Sequence, residues 1–207
     1  CFEYKDGSFG EPSIVLSEPF HLSYPFVFEA DGEIYMMPET KDDGCIQLYK
    51  ASVFPTQWKK NRVLASVPDA VDTDLCDGWL IASRIHDAAD MRIDLELYDF
   101  ATGAPHPQNP VIQNSQIVRG AGSVFECRGK KLRPVQNCTG AVYGAGIFFN
   151  EITEISSAVY SEREVASLSP EDVRISGKTK PLGTHTYARL GGIEVIDCKL
   201  RRINLRR

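Results

Sequence analysis

Four times along this chain a polar or turn-forming residue opens a short β-rich run, a two-residue turn containing glycine follows, and a second β-rich run returns. The copies run from Tyr24 to Glu39, Asp72 to Ser83, Arg119 to Gln136 and His185 to Asp197. Their turns are Asp31-Gly32, Asp77-Gly78, Arg128-Gly129 and Gly191-Gly192. Glycine suits these places because a tight hairpin needs positive φ, which a residue without a Cβ adopts at no steric cost. Third β-rich runs follow three of the hairpins, at Cys45 to Ser52, Ile93 to Phe100 and Tyr143 to Ile152. A period of about 45 to 50 residues with three or four antiparallel strands per unit is the signature of a propeller blade. The expected fold is all-β and of the β-propeller type, a single domain over 1–207 with blades near 20–66, 67–114, 115–165 and 181–205. The polar stretch 157–180 lengthens the last interval and reads as an insertion, with a short helix or surface loop at Ser169, Pro170, Glu171 and Asp172, where Ser caps and acidic residues follow. An open β-sandwich with similarly spaced hairpins is the competing fold; it does not require the same order of polar residue, strand, turn and strand in each unit.

Composition narrows the function classes. With 43% hydrophobic and 25% charged residues the chain is globular rather than disordered or fibrous. A net charge of −5 gives no footprint for nucleic acid, and the basic end from Lys199 to Arg207 is too short to reverse that. No apolar run approaches the roughly 20 residues that cross a bilayer, so no transmembrane segment is expected. The start at Cys1 without a methionine reads as a processed or excised piece of something longer. The six cysteines form no CxxC pair and no Cys/His cluster, so neither a metal site nor a cofactor is expected. Their even number permits disulfides, and Asn137-Cys138-Thr139 is a formal glycosylation sequon; both favour a secretory or extracytoplasmic compartment, while small buried thiols explain the cysteines equally well.

The innermost strands of a propeller line a central funnel, so the first polar residue of each repeat converges on one place. These residues are Tyr24, Asp72, Arg119 and His185, joined by Glu39, Arg133 and Gln136 from neighbouring strands. Carboxylates accept from hydroxyls, Arg donates a rigid fork and Tyr offers a flat apolar face, the mixture a hydroxyl-rich ligand needs. Plainer roles compete with each. Asp72 can bond local amides, Arg119 and Glu39 can form a structural ion pair, His185 can be a satisfied half-buried histidine, and His106-Pro107 suits loop architecture. No Gly-x-Ser-x-Gly elbow or glycine-rich phosphate loop is present.

Ten ordered motifs run nearly end to end: HLSYPFVF (His21 to Phe28), DGEIYMMPE (Asp31 to Glu39), LYKA (Leu48 to Ala51), FPTQW (Phe54 to Trp58), AVDTDL (Ala70 to Leu75), HPQNPV (His106 to Val111), RGAGSVF (Arg119 to Phe125), LRPVQN (Leu132 to Asn137), YGAGI (Tyr143 to Ile147) and GTHTY (Gly183 to Tyr187). Together they resemble the propeller domain of the glucosamine inositolphosphorylceramide transferases, which related bacterial proteins share, some attached to formyltransferase-like domains. That propeller is in turn similar to the five-bladed arabinanase-like glycoside hydrolases. The resemblance implies an earlier blade with an Ala-Asp-Pro-Phe motif, absent here, whose closing strand Cys1 to Tyr4 would be. It implies a carbohydrate or glycolipid headgroup as partner and a covalently linked transferase domain in a longer parent. By blade order Asp72 is similar to the hydrolases' auxiliary Asp, Arg119 stands where their acid Glu does, and their base would lie in the absent blade. The leading expectation is therefore a non-hydrolytic carbohydrate-recognition propeller. A glycoside hydrolase using Glu39 and Asp72, and a protein-interaction propeller without ligand, are the alternatives.

Overall fold

The computed structural model describes residues 1–176 and 180–201. Among these residues all regular structure beyond three one-turn 3₁₀ segments is antiparallel sheet. A small hairpin joins β1 (Tyr4–Lys5) to β2 (Ser8–Phe9). Three four-stranded meanders follow, each made of consecutive strands in chain order. The first holds β3 (Ser23–Ala30), β4 (Glu33–Glu39), β5 (Ile46–Val53) and β6 (Gln57–Ala65). The second holds β7 (Ala70–Cys76), β8 (Trp79–Asp87), β9 (Arg92–Asp99) and β10 (Ile112–Ser115). The third holds β11 (Phe125–Cys127), β12 (Lys130–Asn137), β13 (Gly146–Ile155) and β14 (Tyr160–Leu168). A last hairpin pairs β15 (Tyr187–Leu190) with β16 (Ile193–Ile196). These are propeller-like blades, and the all-β expectation holds.

Each of the four glycine turns joins the first two strands of its sheet, so the turns are equivalent. In the first three, both turn residues have positive φ, 52° and 73° at Asp31-Gly32 for instance. That is the I′ geometry whose twist matches the flanking strands. Asp6-Gly7 repeats it in the β1–β2 hairpin (51° and 80°). Within the described residues Cys1 to Tyr4 is not a lone strand: Tyr4 pairs with Phe9, five residues on.

Stretch 157–180 is also not an insertion throughout. Tyr160–Leu168 is β14, the outer strand of the third blade, paired along β13. Its Glu162, Arg163 and Glu164 look like a solvated run in one dimension, but Glu162 turns inward to Arg133. Beyond it, Pro170–Asp172 makes one 3₁₀ turn capped reciprocally by Ser169 and Asp172.

The cores lie between blades. Successive strand residues face opposite sides, so one strand feeds two cores: Leu80 of β8 packs with Met37, Leu48 and Leu64 of the first blade, and its neighbour Ile81 packs with Val118, Ile152 and Tyr160 toward the third. Ala121, Ile147 and Tyr187 join the third blade to the last hairpin, with Phe125 and Phe149 against them. Polar links reinforce these seams. Arg62 donates to the carbonyls of Phe100 (2.8 Å) and Ala101 (3.2 Å), and Lys131 pairs with Asp77.

Candidate functional site

Where the first strands of the blades meet, their backbone departs from regular pairing. β3 shifts register between Ser23 and Phe26, and β7 between Val71 and Asp74. At these bulges Tyr24 (φ 46°) and Asp72 (φ 48°) occupy the left-handed region, unusual for residues other than glycine. A bulge re-aims a side chain off the regular pleat, and strain of this kind collects at functional sites. Both side chains turn into a cavity of about 380 Å³.

Five of the seven expected residues line that cavity: Tyr24, Asp72, Arg119, Gln136 and His185. The strands approach closely because Gly120 and Gly122 lack side chains. A Cβ on Gly120 would crowd Asp72 and the Tyr24 hydroxyl, and one on Gly122 would overlap the Tyr187 carbonyl. The Gly122 N–H donates to the Tyr24 hydroxyl (2.8 Å) across the centre from the third blade to the first. Burial pushes the Tyr24 phenol well above its ordinary value, and the neighbouring Asp74 and Asp72 push the same way, so it stays protonated.

Arg119 Nε donates to Asp72 Oδ2 at 2.6 Å. This is the ion pair Arg119 makes, rather than one with Glu39. Burial raises the Asp72 carboxyl and Arg119 opposes that rise, leaving the group above its ordinary value. The guanidinium lies over the Tyr143 ring (5.1 Å to the centroid), and the other neighbour of Tyr143 is the His185 ring, 4.9 Å away centroid to centroid. His185 Nδ1 is engaged by Asp197 Oδ2. Gln136 is buried and donates to the Gly120 carbonyl (2.8 Å).

Arg133 and Glu39 stand apart. Arg133, 2% exposed, forks onto Glu162 (Nε 2.8 Å, Nη2 2.6 Å) and donates to the Val118 carbonyl. It is a strut inside the third blade. Arg133 and Gln136 lie three residues apart on one regular strand, so they face opposite sides and only Gln136 reaches the cavity. Glu39 is half-buried outside the lining; burial and the nearby Asp72 raise its carboxyl. His106 is buried loop architecture, holding the Ser156 carbonyl with one ring nitrogen and the Gln108 N–H with the other.

Tyr143 and Ser123 of the cavity lining, and Asp197 on the His185 ring, had no part in the sequence-based site. Tyr143 sits in the YGAGI motif but belongs to the loop before β13, where no strand periodicity marks its direction. Asp197 follows the last residue of β16, twelve positions after the histidine it holds. Among the described residues no cluster of His, Cys, Asp and Glu could hold a metal, the cysteines are free thiols, and no helix is long and apolar enough to cross a membrane.

Comparison with known proteins adds to this geometry. Residues 4–184 match the family described as "Glucosamine inositolphosphorylceramide transferase 1, N-terminal". A glucosamine inositolphosphorylceramide transferase 1 of Arabidopsis thaliana is 37% identical over 171 residues, which cover 77% of this chain and 22% of that protein. Its counterpart in Oryza sativa subsp. indica is 35% identical over 160 residues, 72% of this chain and 21% of that protein. The chain thus spans about a fifth of the length of these curated relatives. With nearly its whole length matched, the chain belongs to the glucosamine inositolphosphorylceramide transferase 1 N-terminal family.

Proposed function

We propose that this domain is a carbohydrate-recognition module that grips a sugar or glycolipid headgroup without cleaving it, within a longer sugar-transferring enzyme. The relatives' names supply the sugar-transferase setting. The observation that carries the reading is the Asp72–Arg119 pair set into an aromatic-walled cavity. Its volume falls within the range of small-molecule sites, apolar walls with a few convergent polar groups being their usual form. Tyr143, Tyr187 and Phe26 give flat faces, while Asp72, Arg119, Gln136 and His185 give polar contacts.

Hydrolysis of a glycosidic bond needs two carboxyls flanking the bond, one of them protonated as acid. Here the second charged group on the cavity wall is Arg119, which carries its charge at every working pH and delivers no proton. Asp72 is bound to it and Glu39 lies outside the lining. General-acid assistance is worth about 10² to 10⁴ in rate, and this arrangement forgoes it.

Calorimetric titration with glucosamine and with myo-inositol 1-phosphate, beside incubation with a panel of aryl glycosides, tests the reading. Binding of either probe with no aryl release is the expected result. Release that vanishes in Glu39→Gln or Asp72→Asn would overturn it in favour of a hydrolase. Silence in both assays would overturn it in favour of a protein-interaction propeller.

A further inference from the structure

We propose that His185 is a hydrogen-bond acceptor of the cavity for a ligand hydroxyl and that Asp197 is the positioning residue that holds it in that role. This rests on the carbohydrate reading above and adds the atom by which the sugar is held.

Several polar groups of the cavity already hold one another. Asp72 Oδ2 takes the Arg119 N–H, the Tyr24 hydroxyl takes the Gly122 N–H, and the Gln136 amide N–H goes to the Gly120 carbonyl. Arg119 can only donate. A hydroxyl that donates needs an acceptor on the wall, and beside Asp72 Oδ1 and Gln136 Oε1 the His185 ring can supply one. Asp197 provides for one by dividing its two oxygens. Oδ1 accepts the backbone N–H groups of His185 (2.8 Å) and Thr186 (2.7 Å), which fixes the loop carrying the ring. Oδ2 faces His185 Nδ1. A carboxylate has no proton to give, so Nδ1 must carry the hydrogen, and of the two neutral tautomers this is the one that leaves Nε2 bare. Nε2 is the ring nitrogen left to the cavity that His185 lines, and Tyr143 packs against the same ring. Asp197 itself stays ionised: burial raises its carboxyl, but the backbone N–H groups of His185 and Thr186 help hold it below its ordinary value.

The divided carboxylate makes the test selective. Asp197→Asn keeps an oxygen for the two backbone N–H groups and puts an NH₂ where Oδ2 was. Nδ1 then becomes the acceptor and the ring proton moves to Nε2. Nitrogen-15 spectra of the labelled imidazole report which nitrogen carries hydrogen. The expected result is a protonated Nδ1 and bare Nε2 in the unaltered chain. The Nε2 resonance should move when glucosamine or myo-inositol 1-phosphate binds. In Asp197→Asn the tautomer should reverse and affinity fall roughly 3- to 10-fold, the worth of one neutral hydrogen bond. His185→Phe, which keeps a ring against Tyr143, should lose affinity to the same extent and stands in if Asp197→Asn does not fold. A protonated Nε2 in the unaltered chain overturns the proposal. So does an Nε2 signal unmoved while a probe binds, and this second outcome leaves the carbohydrate reading intact. Binding of neither probe takes down both.

Discussion

Asp74 and Glu162 are both buried carboxyls, yet one sits above and the other below its ordinary pKa. Burial raises each. Glu162 has Arg133 forked onto it together with Tyr160 and Asn150, and these reverse the rise. Asp74 has only the N–H groups of Leu75 (2.7 Å) and Val124 on its oxygens and a more distant Arg133, so burial wins and it is pushed up to about 7. The consequence for stability has a definite sign. A carboxyl whose folded pKa exceeds its unfolded value binds protons more tightly when folded, so its favourable contribution is full in acid and is lost as pH rises from about 4 toward 7. The stability advantage of the unaltered chain over Asp74→Asn should therefore shrink by up to about 1.4 kcal/mol per pH unit across that window. Urea midpoints measured at several pH values check this; a constant gap would show that Asp74 is already ionised in acid. Arg133→Met leaves the Glu162 charge buried alone and should cost about 3–5 kcal/mol, with much of that recovered in Arg133→Met/Glu162→Leu. The same urea titrations read both variants. At this scale Asp72 and Arg119 were legible because each opens a repeat. Arg133 was not, since nothing in one dimension shows that its partner Glu162 comes back beside it 29 residues later.

Glycines of two kinds hold the elements together. Gly32 needs only its positive φ (73°), and open space surrounds the place where a Cβ would go. Gly32→Ala should cost about 1–2 kcal/mol, the strain of the left-handed region alone. Gly122 has φ 145°, and a Cβ there would overlap the Tyr187 carbonyl at the seam between the third blade and the β15–β16 hairpin. Backbone cannot retreat as a flexible side chain can, so Gly122→Ala should cost more than Gly32→Ala, and the extra loss should be felt at Tyr187 and Ala121. Chemical denaturation of both variants gives the comparison, and amide exchange at Tyr187, whose N–H donates to the Ala121 carbonyl, locates the damage. The turns were readable because a glycine in the second turn position, after Asp, Arg or Gly, between β-rich runs leaves few alternatives. The outer strand β14 was hidden because an edge strand with one solvated face carries as many charges as a loop. Its role rests on pairing with β13.

Across the whole molecule the apolar cores lie between blades adjacent in sequence, so stability should be graded along the chain. The second blade is covered on both faces, by the clusters around Leu80 and around Ile81. The β15–β16 hairpin is two-stranded and exposes Leu190 (85%), Ile193 and Val195. Native-state hydrogen exchange should find amides of β8 and β9 slowest and those of the two-stranded hairpins β1–β2 and β15–β16 fastest, with the hairpins opening before the global transition. Uniform protection would contradict the graded picture. Leu80→Ala, at the first seam, should cost about 2–5 kcal/mol and lower protection in the first and second blades together. The sequence by itself determined the all-β class, the four equivalent turns and the residues that open each repeat, because hairpin turns and strand alternation are local and leave their pattern within a few residues. The tertiary structure alone decided that Arg119 pairs with Asp72, that Arg133 faces away from the cavity, that β14 completes a blade, and that Tyr143 and Asp197 join His185. Those pairings depend on bulges that rotate side chains off the pleat and on contacts between segments distant in the chain, and neither leaves a periodic trace in the order of residues.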